Sequence, residues 1–160
     1  GIEQLKKLQK YVESRQQTAE RLTQGLADLK GLKTLVIRKE CTHVYYVYPL
    51  IIDSKLINVN KQKIVEALSS EGVQGLTSQY ANLHLLPMYQ EKIAYGSKGF
   101  PWTIAHQNIS YERGICPVAE RLNDTDYFGI EMCLHEYGIE EIDLMIEAFH
   151  KVWENLDQLQ

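Results

Sequence analysis

Three runs of apolar residues organise the chain. Leu5, Leu8, Val12, Ala19, Leu22, Leu26 and Leu29 recur at steps of about three and four, with Gln, Lys and Glu between them. That spacing puts them on one face of a long helix. Gly31, just past the last periodic leucine, predicts its stop. Arg15 is the one charge on the stripe, and its stem can lie along apolar surface while its head reaches water or a carboxylate. A core-facing helix is the simplest reading of this stripe, ahead of a partner-binding seam. The second run is Cys41–Asp53, in which Val44, Tyr45, Tyr46, Val47, Tyr48, Leu50, Ile51 and Ile52 are barely interrupted by polar residues. An unalternated run of this kind predicts a strand covered on both faces. Pro49 lacks an N–H, so an edge, bend or bulge is expected there. In the third run, Ile139, Ile142, Ile146, Phe149, Trp153 and Leu156 stripe a closing helix whose start carries Glu140 and Glu141, favourable at the positive end of the helix dipole.

Shorter elements lie between them. Residues 34–37 read as a short strand, with Lys39 and Glu40 in the following turn. Asn58 or Asn60 caps a helix over Lys61–Glu71, whose buried stripe is Ile64, Val65, Ala67 and Leu68. Gly72 ends that helix in the left-handed conformation. Val73–Thr77 is a weaker strand. Cys116–Leu122 reads as a short helix with Pro117 in its first turn, and Tyr127–Cys133 as a closing strand. Residues 78–115 resist assignment: they mix Pro87, Pro101, Gly96, Gly99 and Gly114 with Tyr80, Tyr89, Tyr95, Phe100, Trp102 and Tyr111. So long an irregular stretch in a compact domain is functional or ordered by contact, and its aromatics argue against disorder. The elements together predict an α+β fold.

A length of 160 residues suits a single domain, and 44% hydrophobic with 24% charged residues is ordinary for a globular protein. The net charge of -4 argues against nucleic acid as a partner, since that needs a clustered basic face. No apolar run reaches the ~20 residues of a membrane span, and Lys6 and Lys7 lead into an amphipathic pattern rather than the apolar core of a secretory leader. Cys41, Cys116 and Cys133 are odd in number and widely spaced, which fits a reducing cytoplasm better than a disulfide framework or zinc knuckle. Gly1 opens directly into the helical pattern without an initiator Met, so we expect a piece of something longer.

Candidate chemistry is thin. His43, His84, His106, His135 and His150 include no HxH or HxxxH pair, so no metal site is expected. There is no GxSxG, no CxxC, no GxGxxG and no Walker loop. Cys116, just ahead of a helix start, is a conceivable nucleophile, but a packed structural cysteine is the simpler reading. The pairs Glu140-Glu141 and Asp124/Asp126 belong to helix-start and turn chemistry. Spacing alone names no reaction.

The order of short motifs nonetheless resembles one family, the PLP-dependent sugar aminotransferases of the DegT/DnrJ/StrS group. Gly1-Ile2-Glu3-Gln4-Leu5, with Arg15 and Ala19 in the helix that follows, is similar to the segment where those enzymes pass from large to small domain. His43-Val44-Tyr45-Tyr46 with Tyr48-Pro49-Leu50 resembles the family's H-x-Y-x-x-Y strand. Glu71-Gly72-Val73 is similar to the end of its L-x-x-x-G-I/V element. Tyr80-Ala81-Asn82-Leu83-His84 resembles Y-x-P-L-H, with Asn82 where the family commonly has Pro. Cys116-Pro117-Val118-Ala119-Glu120 resembles the CPVAE of the branch acting on keto-inositols and related sugars, and Ala148–Val152 its closing A-x-x-K-V helix.

The resemblance covers the chain, and it implies the C-terminal small domain of a fold-type-I aminotransferase. Residues 1–160 would form a single domain with a small, mostly antiparallel sheet packed by a long N-terminal, a short middle and a long C-terminal helix. It further implies pyridoxal 5'-phosphate in the full-length enzyme but none bound to this chain, because the Schiff-base lysine belongs to an absent N-terminal domain. No catalytic or metal-binding residue is expected here, and the chain alone should be inactive. Its implied partners are that missing domain, a keto-sugar or keto-cyclitol, an amino-acid donor (glutamate or glutamine) and a second copy in a homodimer. By the same resemblance His84 and then Tyr80 are the expected substrate-binding residues: an imidazole both donates and accepts hydrogen bonds, which suits a hydroxyl-rich ligand. Cys116–Glu120 is expected to shape the domain rather than to touch substrate. The alternative reading is a stand-alone, non-catalytic α+β binding module that uses the leucine stripe and the aromatic loop.

Overall fold

In chain order the elements are α1 (Ile2–Gly25), β1 (Leu32–Thr34), β2 (Val47–Ile52), α2 (Lys61–Ser70), β3 (Leu76–Thr77), α3 (Pro87–Gln90), α4 (Pro117–Arg121), β4 (Tyr127–Glu131) and α5 (Ile139–Glu154). The structure is a computed structural model, and it describes residues 1–105, 107 and 109–160. It divides into two compact units, one made of residues 1–78 and 125–160, the other of residues 79–124.

The first unit holds the sheet, in the order β1-β2-β4-β3, with every pairing antiparallel. Its core gathers Leu22 and Leu26 from the first helix and its exit, Tyr48, Leu50 and Ile52 from β2, Ile64 and Leu68 from α2, Phe128 and Ile130 from β4, and Phe149 from α5. This is the expected α+β arrangement. Burying each such side chain contributes roughly 1.5–3 kcal/mol, so this cluster supplies most of the unit's stability. Phe128 and Phe149 stack at a centroid distance of 6.3 Å, which fixes α5 on the sheet.

The Cys41–Asp53 run behaves differently from expectation. Only Val47–Ile52 is strand, and its burial alternates, with Tyr48, Leu50 and Ile52 inward and Val47, Pro49 and Ile51 half-buried. The sheet therefore has one well-covered face, and the apolar outer residues hid the alternation. Residues 41–46 stay out of the strand: Tyr45 takes a φ of 48°, a left-handed turn that an extended chain does not accommodate. The Tyr45 N–H donates to Nδ1 of His43 at 3.0 Å and holds that turn. Pro49 fits as expected, because β1 pairs no further along β2 than Leu50, leaving the Pro49 nitrogen at an edge. Across from it Gly129 is required by space, since a Cβ there would lie 2.8 Å from Val47 Cγ2 and 3.0 Å from the Tyr48 carbonyl oxygen.

Further boundaries moved, with the strand expected at Val73–Thr77 reduced to Leu76–Thr77 and the closing strand ending at Glu131 rather than Cys133. The strand expected at 34–37 lies at Leu32–Thr34, and Val36 and Ile37 are exposed. Helix α1 stops at Gly25 rather than near Gly31. Its 24 residues span about 36 Å against about 20 Å for the longest strand, so its leading half outruns the sheet and leaves Leu5 and Leu8 exposed. Gly25 is where α5 crosses: a Cβ on it would lie 2.5 Å from Cδ1 of Ile146. There the His150 ring nitrogen Nε2 donates to the Gly25 carbonyl at 2.9 Å. Arg21 grips Asp143 through two bonds of 2.6 and 2.7 Å.

Helix α2 follows its sequence signals closely. Asn60 Oδ1 accepts the Gln62 N–H at 2.7 Å, and Gly72 turns the chain at φ 94°. At the start of α5, the Glu141 carboxylate accepts the Gly138 N–H at 2.7 Å. No helix among the described residues is long and apolar enough to cross a membrane.

Candidate functional site

The unit of residues 79–124 has little regular structure and is ordered by side-chain contacts. Asn82 precedes a single 3-10 turn, Leu83–Leu85, and Pro87 then starts α3. Gln90, at the end of α3, folds back, and its amide nitrogen donates to the carbonyls of His84 and Tyr111, both at 2.6 Å. The Trp102 indole N–H donates to the Tyr111 hydroxyl at 3.0 Å. Tyr89 lies edge-on to Trp102 and tilted against Tyr111, with centroids 6.1 and 5.2 Å apart. This aromatic knot replaces helices and strands as the means of fixing the turn that carries His84.

Beside it, Glu120 gathers a second set of bonds. Gly114 turns at φ 102°, a conformation that favours glycine, and its N–H reaches both carboxylate oxygens of Glu120 at 2.8 and 2.9 Å. The Cys116 N–H reaches Oε1 at 3.3 Å, and His84 Nε2 lies 2.8 Å from Oε1. The two side chains are each 9% exposed. Burial pushes the Glu120 carboxyl up, but the Gly114 N–H, the His84 ring and the Cys116 N–H together outweigh it and hold the group below its ordinary range. Glu120 is therefore a carboxylate at neutral pH, and it can only accept.

The structure brings His84 and Glu120 together, whereas Tyr80 stands apart. The residue is 72% exposed, its backbone N–H donates to Asn123 Oδ1 at 2.9 Å, and its hydroxyl makes no hydrogen bond among the described residues. Cys116 stands at the N-cap position of the short helix α4, without a side-chain capping bond, and is half-buried. Of the other histidines, His43 and His150 have the structural bonds given above, and His135 packs on the Tyr137 ring. His106 lies outside the described residues. Arg15 lines a cavity of about 320 Å³ with Ser14, Thr18, His135 and Glu136.

Glu120 is the residue that sequence reasoning undervalued. Its role depends on a contact with a residue 36 positions away and on burial, neither of which spacing reveals. A glycine turn and a helix-starting proline just ahead of a lone glutamate were the only local signs.

A model of the DegT/DnrJ/EryC1/StrS aminotransferase family matches residues 1–127. The chain is 30% identical over 131 residues to the protein MJ1066 of Methanocaldococcus jannaschii, covering 81% of this chain and 33% of that protein. It is 28% identical over 101 residues to the spore coat polysaccharide biosynthesis protein SpsC of Bacillus subtilis, covering 63% of this chain and 26% of SpsC. Among solved structures, the aminotransferase TlmJ of Streptoalloteichus hindustanus superposes with a TM-score of 0.69 at 22% identity, over 98% of this chain and 36% of TlmJ. Spr1654 of Streptococcus pneumoniae, assigned as a sugar aminotransferase and solved in PMP and PLP forms, superposes with a TM-score of 0.66 at 19% identity, over 98% of this chain and 34% of its own. The chain thus spans about a third or less of the length of each of these proteins.

Proposed function

Because the chain belongs to the DegT/DnrJ/EryC1/StrS aminotransferase family, we propose that it works as the smaller, C-terminal part of a PLP-dependent sugar aminotransferase. The whole enzyme moves an amino group from an amino acid, glutamate or glutamine, to a keto-sugar or keto-cyclitol. It does so in the cytoplasm as a homodimer. Residues 1–160 act as one C-terminal module and supply one wall of the substrate cleft.

When bound, the coenzyme supplies an electron sink for moving nitrogen between amino acid and ketone. We do not assign that group to residues of this chain. Among the described residues the buried lysine is Lys61, and its Nζ donates to the Ser78 carbonyl at 2.7 Å. The coenzyme is therefore assigned to the two thirds of the enzyme that the relatives have and this chain does not. This chain's own share is binding and orientation: His84 and Tyr80 present hydrogen-bonding groups to a hydroxylated substrate, and the aromatic knot of Tyr89, Trp102 and Tyr111 keeps the His84 turn in place.

The observation that carries this reading is the His84–Glu120 pair: a well-held imidazole in the one irregular, aromatic-rich unit of a chain from an aminotransferase family. The test is to assay the whole protein with PLP and glutamate or glutamine against a panel of keto-sugars and keto-cyclitols. Nitrogen transfer to at least one of them is expected. The isolated chain mixed with PLP and treated with borohydride should trap no stoichiometric adduct on a single lysine, and such an adduct would contradict the assignment of the coenzyme to the rest of the protein.

A further inference from the structure

Resting on that reading, we propose that Glu120 is a positioning residue that holds His84 with its proton on Nε2 and leaves Nδ1 bare as the acceptor for a hydroxyl of the keto substrate. A carboxylate cannot donate, so the bond of 2.8 Å between Glu120 Oε1 and His84 Nε2 requires the proton to sit on Nε2. The carboxylate cannot swing away to relax this demand, because the Gly114 N–H grips both its oxygens and the Cys116 N–H a third approach. In a neutral imidazole the other nitrogen is then an acceptor with a fixed direction.

Nδ1 has no hydrogen bond among the described residues, and no buried side-chain nitrogen or oxygen there lacks one. The ring edge carrying Nδ1 therefore reaches the surface, although the side chain as a whole is only 9% exposed. A ring sealed on one edge by a carboxylate and open on the other suits reading a hydroxyl by its donated proton. Atoms farther from the pair contribute through the turn: the Gln90 amide holds the His84 carbonyl at 2.6 Å and so sets where the ring begins.

The experiment uses the whole enzyme. Histidine side chains labelled with ¹⁵N report which ring nitrogen carries the proton, and His84→Gln identifies the His84 signal. Two variants are compared in the separate half-reactions. Glu120→Gln lets its amide donate to Nε2 and so frees the proton to move to Nδ1. His84→Gln keeps a donor toward Glu120, which protects the fold of this unit, but has nothing in the place of Nδ1. We expect Nε2–H in the parent enzyme, loss of that preference in Glu120→Gln, and about tenfold slower reaction with keto substrate below saturation in both variants, the loss of roughly one hydrogen bond. The amino-donor half-reaction should be unchanged. A proton on Nδ1 in the parent, equal slowing of both half-reactions, or wild-type keto rates in His84→Gln would each overturn the proposal. A parent enzyme that transfers nitrogen to no keto-sugar or keto-cyclitol would instead overturn the functional reading beneath it, and the ¹⁵N measurement would still decide the tautomer.

Discussion

His84 and Glu120, 36 residues apart in sequence, meet through a contact of 2.8 Å between Nε2 and Oε1, with each side chain 9% exposed. The carboxyl is held below its ordinary value of 4.5. Its ionised form thus favours the folded state: that stability is present above about pH 4.5 and disappears as pH falls through the folded value. Unfolding midpoints in urea, followed by the fluorescence of Trp102 in the second unit and Trp153 in the first, should drop as the solution is acidified below that point. In Glu120→Gln this part of the acid dependence should vanish while the part due to Asp53 and Asp143, also held low by Lys33 and Arg21 respectively, remains in the first unit. An unchanged acid profile in Glu120→Gln would show that the pair contributes nothing to stability.

Tyr48 tests the core of the first unit. Its ring is fully buried, and its hydroxyl lies 2.8 Å from Thr23 Oγ1. Thr23 already donates to the Ala19 carbonyl at 2.7 Å, so Tyr48 is the donor in the pair. Tyr48→Phe should cost about 1 kcal/mol, the net value of one hydrogen bond, in urea denaturation. Burial also pushes the Tyr48 phenol up from 10.0 to about 12, as it does that of Tyr137. A raised value favours the neutral form in the fold, so this stability is whole below pH 10 and is lost as pH rises toward 12. Phenolate absorbance should show two late-titrating tyrosines, Tyr48 and Tyr137, of which one is lost in Tyr48→Phe.

Helix α1 meets α5 at a point with no spare room. A Cβ on Gly25 would lie 2.5 Å from Cδ1 and 2.9 Å from Cγ1 of Ile146. Gly25→Ala should therefore destabilise the protein by about 1–3 kcal/mol, the usual cost of overpacking, despite alanine's better helix propensity. Ile146→Val in the same chain should recover part of the loss. Full stability in Gly25→Ala, read from the thermal midpoint, would mean that the two helices separate easily.

Much of this fold was readable from residue order because its cues are local. Asn60 and Gly72 bracket α2, Pro117 starts α4, and Ile142 and Phe149 of the α5 stripe are buried as their spacing implies, although Ile139 at its start is exposed. What escaped was decided by contacts distant in sequence. The strand in 41–53 lost its first half to the left-handed turn at Tyr45, and the α1 stripe lost its leading leucines to solvent because the sheet is too short to cover them. Of the candidate site, family motifs singled out His84, but only the folded unit pairs it with Glu120.

In the proposed function, this chain reads the ketone while another part of the enzyme handles the coenzyme. Rapid mixing of the whole enzyme, parent and His84→Ala, measures each half-reaction separately. The expected result is a keto-substrate half-reaction slowed about tenfold or more at low substrate, with the amino-donor half-reaction near the parent rate. Equal losses in the two halves, or no loss in either, would contradict it.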